Sequence, residues 1–168
     1  MTDSEELRSR NYTWVPIEQV GPPLAGRSGL AYFQALRDGE LPVQPIAATI
    51  GWETLEVEEG RVRIGLPQGD HLFHAGGLVH GGVLATLLDS AISSAVMTTV
   101  QASAICSTLH LSVQYLNAAR TDVGDLFAEG TVTHRGRSVA TGEGRVEDAA
   151  GKIYAIATAT LKVSEGKL

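Results

Sequence analysis

The spacing of hydrophobic positions switches from helical to alternating, back to helical, and then to alternating again. From residue 28 to 39, Leu30, Tyr32, Phe33 and Leu36 recur at helical spacing. Ser28 stands where a helix cap is needed and Gly39 where the helix can end. Leu41-Pro42-Val43-Gln44-Pro45 predicts an extended connector, because each proline turns its predecessor away from helix. The period then moves toward two. Residues 52–57 and 61–66 predict a hairpin about Glu58-Glu59-Gly60. Beyond the loop Pro67-Gln68-Gly69-Asp70, residues 71–82 are rich in His and Gly and carry little periodicity.

Residues 81–99 predict a long helix of about 28 Å. Val83, Leu84, Leu87, Leu88, Ile92 and Val96 surround most of its circumference, so the helix should be buried. Small residues among them, such as Gly82, Ala91 and Ser94, let a sheet approach closely. Four strands follow, at 106–116, 125–133, 138–146 and 153–163. Arg135-Gly136-Arg137 and Asp148-Ala149-Ala150-Gly151 form the last two turns. Strict alternation in the first of these strands sets Leu109, Leu111, Val113 and Tyr115 on one face. Thr108, His110, Ser112 and Gln114 then take the other. The expected class is α+β, an antiparallel sheet wrapped around one long helix. Residues 45–168 form that domain. Residues 1–44 are an N-terminal extension holding the short helix, with Gly21-Pro22-Pro23 breaking regular structure in its lead-in.

Composition narrows the setting. The chain has 168 residues, 43% hydrophobic and 19% charged, the balance of one soluble domain. Thirteen basic and 19 acidic side chains leave a net charge of −6. Such a chain has no bulk attraction for nucleic acid, and a phosphate-bearing ligand must meet a local basic patch. The single cysteine, Cys106, excludes an intrachain disulfide and suggests a reducing, cytoplasmic location. It sits in a strand-like run and reads as an inert, buried thiol. No apolar leader is visible behind the polar first residues. The most span-like stretch, 78–100, contains His80 and Asp89. A mid-span Asp costs about 2.5–3.5 kcal/mol on insertion scales, which favours a core helix over a membrane partner.

Three features carry chemistry. Asp89 is one acid in an otherwise apolar helix, where an unpartnered carboxylate is costly, so it is either hydrogen-bonded or employed. His80-Gly81-Gly82 opens that helix, and backbone N–H groups at a helix start can polarise a carbonyl. Thr108 follows on the next strand, within reach of a water or a carboxylate. His71, His74 and His80 match no established zinc spacing, so no metal is expected. There is no Gly-x-Ser-x-Gly elbow, Walker motif or Rossmann glycine run.

The run from His74-Ala75-Gly76-Gly77-Leu78-Val79-His80-Gly81-Gly82 through Asp89-Ser90-Ala91 resembles the signature of PaaI-like hotdog-fold thioesterases. These are relatives of the 4-hydroxybenzoyl-CoA and phenylacetyl-CoA thioesterases. Thr108-Leu109-His110-Leu111-Ser112-Val113-Gln114-Tyr115-Leu116 resembles their next strand, and Arg135-Gly136-Arg137-Ser138 a ligand-facing turn. The resemblance spans about residues 45–163. It implies five or six strands around the helix and active sites between two subunits of a homodimer or dimer of dimers. It implies hydrolysis of an acyl-CoA, with no cofactor beyond the coenzyme A of the substrate. By position, Asp89 is the catalytic carboxylate, Gly81 the backbone donor and Thr108 the hydroxyl near the attacking water. His74 stands where relatives often carry Asn or Gln, and His80 and Gly82 belong to the substrate-side motif. Arg135, Gly136, Arg137 and Ser138 would face the CoA phosphates, with Arg120 and Lys162 weaker candidates. Residues 41–50 with Ile92, Val96 and Met97 are expected to line the acyl pocket. The alternatives are a non-catalytic acyl-CoA-binding or regulatory protein on the same fold, and a hydratase.

Overall fold

In the computed structural model, which describes residues 7–20 and 26–165, six antiparallel strands wrap an 18-residue helix. Gly21-Pro22-Pro23 lies outside the described residues. The chain runs through α1 (Gly29–Arg37), α2 (Pro45–Ile50), β1 (Glu53–Glu58) and β2 (Arg61–Leu66). A 3-10 turn (Asp70–Leu72) and a two-residue hairpin, β3 (Phe73–His74) and β4 (Leu78–Val79), lead into α3 (Gly81–Thr98). The remaining strands are β5 (Ala104–Tyr115), β6 (Leu126–Arg135), β7 (Val139–Asp148) and β8 (Ile153–Glu165). The sheet order is β1-β2-β6-β7-β8-β5, which leaves β1 and β5 as edges. This is the expected α+β hotdog fold.

Helix α3 passes the length and hydropathy test for a membrane span, yet half of that window is buried inside the sheet. It is the core. Leu87, Leu88, Ala91, Ile92, Ala95 and Val96 are fully enclosed. The sheet reaches it through glycine. A Cβ at Gly130 would lie 2.3 Å from the Ala91 carbonyl carbon, so only glycine permits this backbone-to-backbone contact. Helix α1 locks onto the far end of α3. The Gly29 N–H donates to Val100 O at 3.0 Å, and its Cα lies hard against the Met97 carbonyl. Ser28 caps α1 as expected, its Oγ accepting from the Ala31 N–H at 3.3 Å.

Two local expectations change. A helical turn, α2, occupies Pro45–Ile50, starting at the last residue of the expected extended connector and filling a stretch to which the spacing assigns no element. Proline restricts the residue before it, and Gln44 is indeed extended. At the first helical position Pro45 itself loses no hydrogen bond, so the helix can begin there. In β5 the pairing with β8 slips between Thr108 and His110. Leu109 is the extra residue of a β-bulge and points outward, 61% exposed. Thr108 pairs with Leu161, whose side chain is buried against the helix layer, and Leu111 pairs with buried Ala159. Thr108 therefore shares the inner face with Leu111, Val113 and Tyr115, opposite to what strict alternation assigns.

The outer face of the sheet is charged. Arg61, Arg63 and Arg145 pair there with Glu56, Glu58, Glu129 and Glu147, and Glu129 bridges Arg61 and Arg145 at 2.6 and 2.9 Å.

Candidate active site

The bulge in β5 sets one half of the site. With Thr108 turned inward, its Oγ1 donates to Asp89 Oδ1 at 2.8 Å. The bond crosses from the exposed edge strand to the half-buried middle of α3. It occupies one carboxylate oxygen and fixes the orientation of the group. One residue further along α3 and two along β5, a cavity of about 550 Å³ begins. Ser90 on α3 and Cys106 on β5 lie at its Asp89 end, and Phe33, Val43, Trp52 and Met97 supply apolar walls. Of the residues expected to line an acyl pocket, Val43, Gln44, Ala47 and Met97 do so. Ile92 and Val96 do not, because they turn into the sheet and are fully buried there. Burial in this region pushes the Cys106 thiol up to about 11, against the opposing pull of the Arg135 charge. It also raises Tyr32, whose hydroxyl meets Gln44.

The other half lies at the start of α3. His80 is the N-cap, and its Nδ1 accepts from the Gly82 N–H at 2.9 Å. That bond needs an unprotonated Nδ1, which leaves any ring proton on Nε2. Among the described residues the Gly81 N–H has no acceptor, as the first N–H groups of a helix do not within the helix itself. His74 bends back similarly, its Nδ1 accepting from the Gly76 N–H at 2.9 Å. The His74 and His80 rings stand 6.5 Å apart, edge to face. His74, Gly81, Leu84 and Tyr115 line a second cavity of about 400 Å³. Tyr115 was not expected here. Its hydroxyl donates to Gly81 O at 2.9 Å, and its ring lies 3.2 Å from where a Gly81 Cβ would stand. No local signal in the chain announces that contact, which depends on strand and helix meeting in space.

These two halves do not meet within one chain. Gly81 and Asp89 are eight residues apart on one helix, about 12 Å along its axis. Nor do the three histidines converge: among the described residues, no three His, Cys, Asp or Glu side chains gather as a metal-holding group. The Arg135-Gly136-Arg137-Ser138 turn joins β6 to β7 at the Thr108 end of the sheet. The row Arg135, Ala140, Leu161, Thr108 crosses four strands in register, a span of about 14 Å. The turn is held by Gly136 N–H to Val139 O and by Val163 N–H to Ser138 O, each 2.9 Å. Unlike the arginines of the outer face, Arg135 and Arg137 form no ion pair among the described residues. Arg120 lies elsewhere, bridged to Leu78 near the start of α3, and Lys162 is exposed on β8 opposite Val139.

Residues 76–155 match the sequence model of the thioesterase superfamily. A provisionally named thioesterase of Ralstonia eutropha, described as related to phenylacetic acid degradation, is 32% identical. The match covers 78% of this chain and 98% of that one, with a TM-score of 0.71.

The chain belongs to the thioesterase superfamily.

Another superfamily structure, a thioesterase family protein of Silicibacter pomeroyi, superposes with a TM-score of 0.72 at 26% identity. It covers 80% of this chain and 99% of its own. A provisionally named esterase of Halobacterium salinarum is 34% identical over 99 residues, which are 56% of this chain and 64% of that protein. The superfamily match takes in His80, Gly81, Gly82, Asp89, Thr108 and the Arg135-Gly136-Arg137-Ser138 turn. Thioester hydrolysis is the activity typical of the superfamily.

Proposed function

We propose that this protein hydrolyses acyl- or aryl-CoA thioesters to the free acid and coenzyme A. The observation that carries the reading is the Thr108-held carboxylate of Asp89, set beside a mostly apolar-walled cavity large enough for an acyl group. Thr108 engages Oδ1, which leaves Oδ2 to act. Asp89 takes a proton from water that attacks the thioester carbonyl, or attacks that carbonyl itself and is later released by water. In either route the C–S bond breaks and the departing sulfur gains a proton.

The negative oxygen formed on the carbonyl needs a donor, and the free Gly81 N–H at a helix start is suited to it. Since Gly81 and Asp89 of one helix are too far apart, the donor comes from a second copy. A twofold pair that sets the start of one α3 against the middle of the other completes two sites at once. The open edge of β5 is a natural seam for such a homodimer, itself able to pair further into a dimer of dimers. His74 and His80 then flank the carbonyl side, with Gly82 in the same turn. Arg135 and Arg137 are the cations offered to the CoA phosphates, with Gly136 and Ser138 shaping their turn.

Release of free thiol from a panel of short, medium, long and aryl acyl-CoAs tests the reading. Asp89→Asn should lower kcat by about a thousandfold or more while the fold and CoA binding persist. Turnover by that variant at the wild-type rate would remove Asp89 from its role. Failure of the wild type to cleave any of the panel would remove the activity.

A further inference from the structure

The opening turn of α3 has the least of its own to hold it. Gly81 and Gly82 bring no side chain to pack, and glycine has more backbone freedom to lose than any other residue. The His80 carbonyl takes the Val83 N–H at 2.9 Å and the Leu84 N–H only at 3.4 Å, so the turn is wound more tightly than a regular α-helix. Yet this is the turn whose free N–H the proposed reaction uses. A donor to a developing oxyanion serves only when held about 2.7–3.1 Å from that oxygen.

Two side chains restrain the turn. His80 does so through Nδ1 and the Gly82 N–H, but it belongs to the turn and moves with it. Tyr115 acts from outside. Its hydroxyl donates to Gly81 O at 2.9 Å, and its ring carbon Cζ lies 3.2 Å from where a Gly81 Cβ would stand. Tyr115 ends β5 and pairs there with Ala155 of β8. The next two N–H groups, of Leu116 and Asn117, both donate to Tyr154 O, at 2.8 and 3.2 Å. Asn117 Nδ2 donates to Ile153 O at 2.7 Å, and Tyr154 itself is fully buried. The phenol is thus mounted on the sheet. Core packing does not explain its place, because Tyr115 is 55% exposed. Nor does the Gly81 carbonyl need another donor, since a helical carbonyl there receives the N–H four residues on.

We infer that Tyr115 is a positioning residue, tying the first turn of α3 to the sheet so that the Gly81 N–H keeps its aim. The role in turnover rests on the proposed hydrolase reading; the restraint on the turn does not. One strand then serves both halves, β5 holding Asp89 through Thr108 and Gly81 through Tyr115. In the proposed dimer the two halves of one chain belong to different sites. Tyr115 therefore acts on one site and Thr108 on the other.

Tyr115→Phe keeps the ring and removes the donor. Backbone amide NMR relaxation reads the turn without any turnover. The order parameters of the Gly81 and Gly82 N–H groups should fall from about 0.85 toward about 0.6, while those of Asp89 and Thr108 hold. In the thiol-release assay kcat should fall about three- to tenfold, the size expected of one neutral hydrogen bond, with KM unchanged. The loss should also follow one chain. In hybrids carrying Asp89→Asn on one chain, the live site takes Gly81 from that chain and Asp89 from its partner. Tyr115→Phe placed on the Asp89→Asn chain should give the full loss, and placed on the partner it should give none. If the order parameters fall but the wild type cleaves no thioester, the hydrolase reading falls and the restraint stands. Unchanged order at Gly81 and Gly82 overturns the inference. So does an unchanged kcat in a protein that turns over, or a loss that appears equally whichever chain carries Tyr115→Phe.

Discussion

On the proposed reading, the start and the middle of α3, eight residues apart, offer opposite halves of one reaction. At the start, Gly81 presents an unanswered N–H beside an open cavity, with imidazoles and a phenol around it and no carboxylate. In the middle, Asp89 presents a carboxylate held by Thr108 beside a cavity with mixed apolar and polar walls, with no free backbone donor, because every N–H there is spent inside the helix. A helix can expose backbone donors only at its first turn and can bury a side chain only along its length. One α3 therefore cannot supply both groups to one substrate, and the proposed pairing with a second copy is what would resolve the conflict. The largest effect should come from exploiting that division. Asp89→Asn and Gly81→Val, the latter pressing a branched side chain toward the Tyr115 ring, should each be inactive alone. Mixed and re-associated in equal amounts, half of the dimers are hybrids with one intact site of two, so about a quarter of wild-type activity should return. No recovery in hybrids confirmed to form would mean that the two halves do not act on the same substrate.

The next effect tests the hydrogen bond that orients the middle half. Thr108→Val keeps the branched shape of the strand residue and removes the donor to Asp89 Oδ1. Hydrogen bonds to charged groups contribute about 1.5–3 kcal/mol, so kcat should fall roughly ten- to a hundredfold. Thr108→Ser should restore most of it, and KM should move little, because the acyl walls are untouched. A kcat unchanged in Thr108→Val would show that the carboxylate needs no such restraint.

How much of this could be read from the chain alone differs between the same two regions. Asp89 stands out because an acid among Leu87, Leu88, Ala91 and Ile92 breaks a pattern, and His80-Gly81-Gly82 stands out because glycines open a helix. The long buried helix, the hairpin and the four later strands follow from periodicity, since the core demands it of every element that touches it. The Asp89–Thr108 contact does not follow. Alternation alone turns Thr108 away from the helix, and only the bulge at Leu109, a pairing slip against β8, turns it back. Such a slip is set by two strands together and leaves no mark in either one. The same holds for Tyr115 on Gly81. Helix α2 escaped for a local reason, because Pro45 reads as a breaker to the residue before it and as a starter to those after it.

A smaller effect measures how far water reaches the cavity wall at Cys106. Cys106 lies in its cavity wall with a thiol pushed up to about 11 by burial. Alkylation by iodoacetamide follows the thiolate, so its rate should be half-maximal near that pH and fall about tenfold for each pH unit below it. The positive charge of Arg135 favours the thiolate. Arg135→Ala should therefore move the midpoint higher still and slow the reaction at any fixed pH below it. A midpoint in the ordinary thiol range, or one indifferent to Arg135, would mean that water reaches the Cys106 wall of the cavity freely and that Arg135 does not act on it.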